Sequence, residues 1–367
     1  MKKEKQQYYS LTNIDKKNAH YNIIIGERSN GKTYACLKRS IENWFRNGKE
    51  TAIIRRWQDD FKSKRGATMY AALSEVVQKE SNGLYDHVDY YGGRFYMAGY
   101  QVALSGERKS VRDDKPFAYA FALSAMEHDK STSYPNITLV IYDEFLTREM
   151  YFNDEFVIFM NVLSTIIRQR KDVKIYMLGN TVNKFCPYFA EMGLSNVAKM
   201  KPGTIDVYRY GDTELIVAVE RTGTSQHHQK ESNVYFAFNN PKLQMITHGS
   251  WEIDIYPHLP GHFRNVDILQ SYFILWQDEI LQCDIIIDDK GYYTYIHRKT
   301  TPIQDDDRDI IYSIDFDKRY NHYRNLKRPV DKISTKIATF YKSYKVFFQD
   351  NEVGEIVRNY CQWCDTN

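Results

Sequence analysis

Residues 26–33 read GERSNGKT and stand between the apolar run YNIIIG (21–26) and YACLKRSIENWF (34–45), whose apolar spacing predicts a helix. They match G-x-x-x-x-G-K-[ST], the pattern of a loop that binds phosphate between a strand and a helix. Backbone N–H groups hold the phosphates in such a loop, the lysine reaches their outer oxygens, and the hydroxyl that follows binds Mg²⁺. A plain glycine-rich turn would not require Lys-Thr. The residues predicted to bind nucleotide are therefore Gly26, Glu27, Arg28, Ser29, Asn30, Gly31, Lys32 and Thr33.

Length and composition set broad limits on the protein. A chain of 367 residues is long for one core and predicts two domains. Its net charge of +3 neither requires nor excludes nucleic acid, because local patches decide binding. Five scattered cysteines favour a reducing compartment, and the C-x-x-C at Cys361 and Cys364 has no second pair to complete a zinc site. Without a signal peptide or an apolar window of about 20 residues, we expect an intracellular protein that does not enter membranes.

Strand and helix patterns alternate through the first part of the chain. TAIIRR (51–56), FAYAFAL (117–123), ITLVIYDE (137–144) and VKIYMLGN (173–180) read as buried strands, and 155–168 reads as an amphipathic helix. This alternation predicts an α/β fold of the P-loop NTPase kind, a mostly parallel sheet with helices on both faces. We expect this nucleotide-binding domain over 1–220, a polar linker over 221–250, and a smaller α+β domain rich in strand pairs over 251–367.

Polar side chains end two of these strands. Asp143 and Glu144 end ITLVIYDE, and Asn180 ends VKIYMLGN. Because ligands bind at the carboxyl edge of parallel sheets, Asp143 fits a Mg²⁺ ligand and Glu144 fits a general base that polarises the attacking water. Asn180 fits a residue that touches the terminal phosphate or that water. The plainer alternatives are a solvated strand end for the two acids and an ordinary turn for Asn180.

The surroundings of these residues favour ATP hydrolysis over other nucleotide chemistry. A GTPase would need N-K-x-D, and the nearest string, NKFC (183–186), has Cys186 in place of the aspartate. A small-molecule kinase would not carry a glutamate beside Asp143. The class predicted is therefore an ATPase coupled to motion, with ATP and Mg²⁺ as its ligands.

Several basic residues are candidates for contacts outside the chain. Arg168 and Arg170 follow the helix at 155–168, where they either cap its C-terminus or stabilise phosphoryl charge in a neighbouring subunit. Spacing alone leaves both interpretations open. Two basic clusters on predicted loops either bind a nucleic-acid backbone or are simply solvated. They are Lys62, Lys64 and Arg65, and Arg108, Lys109 and Arg112.

An ordered set of motifs between about residues 20 and 190 resembles the DNA-packaging (encapsidation) ATPases of small tailed phages of the phi29 type. The set comprises NIIIGERSNGKT, IIRR, KSTSYPN before ITLVIYDEF, IIRQR, and YMLGNTVNKFCPYF, with CPYF where the family has an NPYF-like block. The remaining C-terminal part resembles the family more weakly, through hairpin pattern and length.

The resemblance implies more than the residues alone do. It implies a homo-oligomeric ring, expected to be a pentamer, that drives double-stranded DNA through the portal of a procapsid in the host cytoplasm. It implies that Arg168 acts in trans as an arginine finger, that Lys130 acts on a neighbouring subunit's site, and that Arg28 senses or polarises the γ-phosphate in cis. Some relatives use a structural packaging RNA, on which this sequence is silent.

The resemblance also implies that the C-terminal domain is like an RNase H nuclease that has lost its catalytic acids. Such a domain would bind nucleic acid or the portal. Because two of the candidate acids fall in a hairpin turn, no two-metal centre is expected and no nuclease activity either. The acids considered are Asp284, Asp288, Asp289, Asp315 and Asp317.

Two other functions remain open. One is a helicase or a conjugation-type DNA pump built on a similar core. The other is a P-loop module that holds ATP as a structural or regulatory ligand. Helicases commonly carry tandem motor domains, whereas this chain has one phosphate-loop motif.

Overall fold

The computed structural model describes residues 9–62, 64–102, 108–128, 133–148, 151–152, 154–181, 183–223, 256–259, 267–289 and 291–366. The chain divides into two compact units, Met1–Glu252 and Ile253–Asn367. Most of the predicted linker, from residue 224 onward, lies outside the described residues.

The described residues of the first unit form one large sheet and six helices. Its strands are β1 (Tyr21–Gly26), β2 (Glu50–Arg55), β3 (His87–Tyr91), β4 (Arg94–Val102), β5 (Arg108–Arg112), β6 (Ala118–Ala122), β7 (Ile137–Asp143), β8 (Lys174–Asn180), β9 (Thr204–Arg209) and β10 (Ile216–Arg221). Its helices are α1 (Thr12–Asp15), α2 (Lys32–Asn47), α3 (Lys64–Thr68), α4 (Ser74–Glu80), α5 (Glu155–Ile167) and α6 (Pro187–Glu191). Short 3₁₀ turns lie at Gln58–Phe61, Ala71–Leu73, Leu123–His128 and Val197–Lys199.

The sheet is parallel in its centre and antiparallel at its edges. Its order is β3-β4-β6-β2-β7-β8-β1-β10-β9, with β5 paired to β4. The run from β6 to β10 is parallel, whereas β3, β4, β5 and β9 pair antiparallel. The prediction of an α/β fold with a mostly parallel sheet is confirmed.

Both faces of the central strands are buried, which explains their continuous apolar sequences. Along β1, Ile24 belongs to the cluster that includes Leu37 of α2 on one face. Ile23 and Ile25 belong to the cluster that includes Phe159 of α5 on the other face. A parallel sheet covered in this way brings the carboxyl ends of β1, β2, β7 and β8 to a single edge.

Both basic clusters were predicted to lie on loops, and among their residues this holds for Lys62 alone, which follows a 3₁₀ turn. Lys64 and Arg65 lie in α3, where buried Gly66 lets the chain approach the ring of Tyr90. Residues 108–112 form β5, which pairs antiparallel with β4. Main-chain pairing at a sheet edge does not require apolar side chains, so the basic sequence gave no strand pattern.

The described residues of the second unit form a six-stranded sheet and two helices. Its strands are β11 (Ile268–Trp276), β12 (Glu279–Asp288), β13 (Gly291–Arg298), β14 (Ile310–Ser313), β15 (His322–Tyr323) and β16 (Val346–Phe348), and its helices are α7 (Lys332–Lys342) and α8 (Asn351–Thr366). The order is β15-β14-β11-β12-β13-β16. Strands β11, β12 and β13 form an antiparallel meander, and β14, β15 and β16 each join it parallel to their neighbours.

The hairpin predicted at residues 288–291 is present, with Asp288 opposite Gly291. The run FILWQDEILQCDIII (273–287) belongs to two strands, β11 and β12. It folds back at Gln277 and Asp278, where Gln277 takes a left-handed φ of 53°, so two polar residues suffice for the turn.

A polar network lies within the second sheet. The buried carboxylate of Asp284 accepts hydrogen bonds from Ser271 (2.6 Å) and Gln282 (2.9 Å) and lies 3.1 Å from Nε2 of His297. Burial alone would raise the pKa of Asp284, but the bonds from His297, Ser271 and Gln282 lower it overall. The same bond raises the pKa of His297. Asp284 is thus held within the sheet by its neighbours.

Two general features of the described residues bear on function. Among them, no helix is both long and apolar enough to cross a membrane. The same residues contain no group of three or more His, Cys, Asp or Glu side chains arranged to hold a metal ion. Cys361 and Cys364 lie on α8 and form no disulfide.

Candidate functional site

The predicted site residues converge at the carboxyl edge of the central sheet. Gly26 at the end of β1 pairs with Asn180 at the end of β8, and Asp143 at the end of β7 pairs with Leu178. A cleft of about 1090 Å³ opens over this edge. It is lined by the phosphate loop, Asp143, Glu144 and Asn180, together with Arg56, Trp57 and the chain at 146–148.

The phosphate loop keeps its shape through two glycines and one close packing contact. Gly31 has a φ of 95°, in the left-handed region that favours glycine, and caps the start of α2. A Cβ on Gly26 would lie 1.8 Å from Oγ1 of Thr222, so only glycine fits there. Thr222 in turn accepts a hydrogen bond from Nδ2 of Asn30 (2.9 Å). The loop is therefore held from behind by the chain that follows β10.

Lys32 is buried inside the loop and bonded to the loop itself. Its Nζ donates to the carbonyl of Glu27 (2.5 Å), to the carbonyl of Gly26 (3.3 Å), and to Oδ1 of Asn30 (3.2 Å) and of Asn180 (3.3 Å). Burial lowers the pKa of Lys32 to about 8, although the negative charges of Asp143 and Glu27 oppose this. The contact with Asn180 joins the loop to β8.

Thr33 and Asp143 provide the oxygen atoms that a magnesium site needs. Oγ1 of Thr33 donates to Oδ1 of Asp143 over 3.0 Å, and the Asp143 side chain is only 5% exposed. Mg²⁺ in nucleotide sites is held by one or two protein oxygens together with phosphate oxygens and water, so this pair fits the ion. That both residues bind Mg²⁺ stays a prediction.

Arg55, at the end of β2, contacts both acids. Its Nη2 lies 2.5 Å from Asp143, and its Nη1 lies 3.1 Å from Oε2 of Glu144. Glu144 is exposed to the cleft and has a φ of 60°, which is uncommon for a residue with a side chain. The paired charges hold the two carboxylates next to each other at the sheet edge.

Arg28 and Glu27 differ in their surroundings. Arg28 is exposed and lines the cleft, so its side chain can reach a ligand on the loop. Glu27 is buried, and its negative charge acts on Lys32. Glu27 thus belongs to the interior of the loop rather than to its ligand side.

Arg168 and Arg170 lie at the opposite edge of the sheet. Arg170 donates to the carbonyls of Pro135 (2.9 Å), Tyr134 (3.3 Å), Ile137 (2.6 Å) and Ile166 (3.2 Å), so it fastens the end of α5 to the start of β7. Arg168 is the exposed residue directly after α5. The length of β7, about 20 Å, separates this end from Asp143. Within one chain Arg168 is therefore out of reach of the phosphate loop.

Among the remaining predicted residues whose side chains the structure describes, Lys62, Lys64, Arg65 and Arg112 do not line the cleft. Lys130 lies outside the described residues. Lys62 lies 2.6 Å from Asp59, and Arg65 lies 3.7 Å from Asp60. The Arg112 guanidinium stacks over the ring of Tyr96 at 4.6 Å. These local contacts suit the solvated interpretation as well as the nucleic-acid one.

Sequence reasoning missed several residues that build the site. They are Arg55, Arg56, Glu155 and Thr222. The signals for the arginines were the IIRR motif and their position at the end of an apolar strand that pairs with the strand carrying Asp143. Glu155 and Thr222 carried no recognisable signal, because their partners are distant in sequence.

The fold and the site define a P-loop α/β protein. The family model for the podovirus DNA encapsidation protein (Gp16) matches residues 3–208, more than half of the chain. The chain belongs to this family.

Relatives in known phages agree with this assignment. The DNA packaging protein of Bacillus phage B103 is 27% identical over 176 residues, which cover 47% of this chain and 48% of that protein. That of Bacillus phage phi29 is 27% identical over 172 residues, which cover 46% and 45%. The chain thus spans about half the length of the curated relatives it matches.

Two solved structures share the fold along nearly the whole chain. The Phi-28 gp11 DNA packaging motor has a TM-score of 0.53 and 16% identity, covering 97% of this chain and 98% of that one. The phi29 genome packaging motor assembly has a TM-score of 0.51 and 18% identity, covering 96% of both chains.

Proposed function

We propose that this protein is the motor ATPase of phage DNA packaging, which couples ATP hydrolysis to the movement of double-stranded DNA into a procapsid. The single observation that carries the ATPase assignment is the meeting of Lys32, Thr33, Asp143, Glu144 and Asn180 at one edge of the sheet. Family membership supports DNA as the transported polymer.

Each residue has a task that follows from its position. When bound, Mg²⁺ would supply charge that offsets the phosphate oxygens, and Thr33 and Asp143 are the residues that would hold it. Lys32 needs only to exchange its bonds to the loop for bonds to phosphate. Glu144, exposed to the cleft, accepts a proton from the attacking water. Asn180, bonded to Lys32, lies where it can register the terminal phosphate. Arg28 adds a positive charge from the same subunit.

The position of Arg168 supports a ring of subunits. The end of α5 lies beside the start of β7, and the strand, about 20 Å long, ends in Asp143. A role for Arg168 in hydrolysis would therefore be in a neighbouring subunit. We propose a homo-oligomer, a pentamer as in the family resemblance, with Lys130 as a second trans-acting residue. Arg170 is better explained as a structural cap, because its guanidinium donates to main-chain carbonyls of its own chain.

The two units have different roles in this proposal. We propose a motor domain over 1–220, a linker over 221–250, and an RNase H-like domain over 251–367 that has no nuclease activity. The antiparallel meander extended by two parallel strands on the side of β11 supports this fold. The hydrogen bonds that Asp284 accepts from Ser271 and Gln282, and its contact with His297, support a structural role for this acid. This domain would bind nucleic acid or the portal.

The remaining partners follow from the packaging role. We propose that the ring docks at the portal vertex of the procapsid in the host cytoplasm, with a structural packaging RNA as an optional component. The basic residues of α3 and β5 are candidates for non-specific contacts with DNA phosphates.

Steady-state ATP hydrolysis tests the proposal, measured without additions, with duplex DNA, and with duplex DNA and procapsids. We expect stimulation by DNA and procapsids together, and loss of turnover in Glu144→Gln. Glu42→Gln on α2 is a matched control, because it makes the same change away from the cleft. Unchanged turnover in Glu144→Gln would exclude the catalytic role of this residue. Nucleotide binding without hydrolysis in the unaltered protein would favour the regulatory P-loop module.

A further inference from the structure

A buried ion pair lies at the wall of the cleft. Arg56 follows β2, Glu155 begins α5, and their side chains are 7% and 0% exposed. Nε and Nη2 of Arg56 each lie 2.9 Å from one carboxylate oxygen of Glu155, which gives the two-pronged contact of a strong arginine–carboxylate pair. The cluster around the pair is otherwise apolar and aromatic.

Both oxygens of the Glu155 carboxylate accept further hydrogen bonds. Oε1 accepts hydrogen bonds from the hydroxyls of Tyr188 (2.8 Å) and Tyr142 (3.1 Å), and Oε2 accepts one from the backbone N–H of Phe152 (3.0 Å). Removing two charges from water is costly, and apolar residues of similar size often give equal or better stability. Stability therefore does not explain why a charged pair occupies this place.

The pair is connected to Glu144 through one backbone carbonyl. Besides Glu155, Nη2 of Arg56 donates to the carbonyl of Phe145 (2.7 Å). The N–H of Phe145 donates to the carbonyl of Leu178 in β8 (3.2 Å). Phe145 is thus held on both sides, and it is the residue directly after Glu144, whose φ is 60°. A left-handed conformation persists in a residue with a side chain only where its surroundings hold it.

Two consecutive arginines then act on Glu144 from different directions. Side chains alternate along an extended chain, so Arg55 contacts the Glu144 carboxylate, while Arg56 points the other way and contacts Glu155 at the wall of the cleft. Arg55 acts on the side chain of Glu144, and Arg56 acts on its backbone.

We propose that Arg56 and Glu155 are positioning residues for hydrolysis: together they fix the backbone of Glu144 so that its carboxylate faces the attacking water. This inference rests on the proposed ATPase function. Tyr142 and Tyr188 take part by orienting Glu155. The Glu155 side chain is fully buried, so it acts on the cleft through Arg56 and not by contact with nucleotide.

Glu155→Gln tests the proposal with the smallest change, because it preserves shape and removes the charge. Arg56→Lys keeps the positive charge but loses the two-pronged contact. Tyr188→Phe, which removes one hydroxyl bonded to Glu155, is a third variant for the case in which either of the other two fails to fold. We expect kcat to fall roughly 10- to 100-fold with KM changed less than about twofold, because the misplaced group is one that acts in the transition state. Arg39→Lys is the matched control, since it weakens the Arg39–Asp15 pair (2.6 Å) elsewhere in the same unit.

A double-mutant cycle separates positioning from a general structural effect. In a Glu144→Gln background, Glu155→Gln should cause no further loss of residual turnover, because the group that it positions is already absent. An equal fold-loss in both backgrounds overturns the proposal, as does a loss that appears in KM or follows the unfolding temperature. Failure of the proposed function is distinguishable, since Glu144→Gln alone would then leave turnover unchanged.

Discussion

The sharpest test of the ring proposal is a mixture of two inactive variants. Lys32→Ala removes the positive charge that meets phosphate within a subunit, and Arg168→Ala removes the charge proposed to come from its neighbour. Each variant alone should lose hydrolysis, Arg168→Ala by roughly 10³-fold or more, the range of a trans-acting arginine.

The expected activity of the mixture follows from the geometry. Because Arg168 follows α5 at the opposite end of β7 from Asp143, each working site is proposed to need an intact Lys32 from one subunit and an intact Arg168 from the next. In an equal mixture of randomly assembled rings, about one interface in four satisfies both conditions. We therefore expect about a quarter of the unaltered rate if the sites fire independently, and less if they fire in a fixed order.

The assay is ATP turnover at fixed total subunit concentration across a series of mixing ratios. Activity should be maximal near equal amounts and absent at both ends. Ring assembly is monitored in parallel by sedimentation, so that a lack of rescue cannot be assigned to broken rings. Intact mixed rings with no rescue at any ratio would refute the trans role of Arg168.

Two further predictions concern packing and pH. Gly26→Ala should destabilise the first unit by about 1–3 kcal/mol, because its Cβ would overlap Thr222, and Thr222→Ala should relieve part of that cost. Urea unfolding of the single and double variants measures this, and strictly additive effects would contradict it. In the second unit, the raised pKa of His297 stabilises the folded state at pH values below about 6.5, the unfolded pKa, and this stability is lost as pH rises through the folded pKa. The lowered pKa of Asp284 stabilises the folded state above about pH 3.9, and this stability is lost as pH falls through the folded pKa. His297→Gln should therefore cost more stability near pH 5.5 than near pH 8.5, and an equal cost at both would argue against the pair.

The parts of the fold that the sequence revealed are those encoded by local pattern. The strand–loop–helix around Lys32 and the strand that ends in Asp143 combine a continuous apolar run with polar residues at its end. In a parallel sheet covered on both faces, that combination places the polar residues at one edge. The convergence of Asn180 with the phosphate loop followed from the same rule.

The parts that were missed depend on partners distant in sequence. The contact from Arg56 to Glu155 joins residues 99 positions apart, and that from Asn30 to Thr222 joins residues 192 apart. Neither residue type nor spacing signals such pairs. Strand β5 was missed for a different reason, since its pairing with β4 uses main-chain atoms and leaves no apolar pattern.

The position of β5 has a consequence for how the molecules behave at high concentration. Among the described strands it pairs only with β4, which places it at an edge of the described sheet. Its sequence, RKSVR, has three basic residues in five. Charged residues in an edge strand are one of the ways in which proteins avoid edge-to-edge association. A basic sequence at this position therefore has a use that does not depend on DNA.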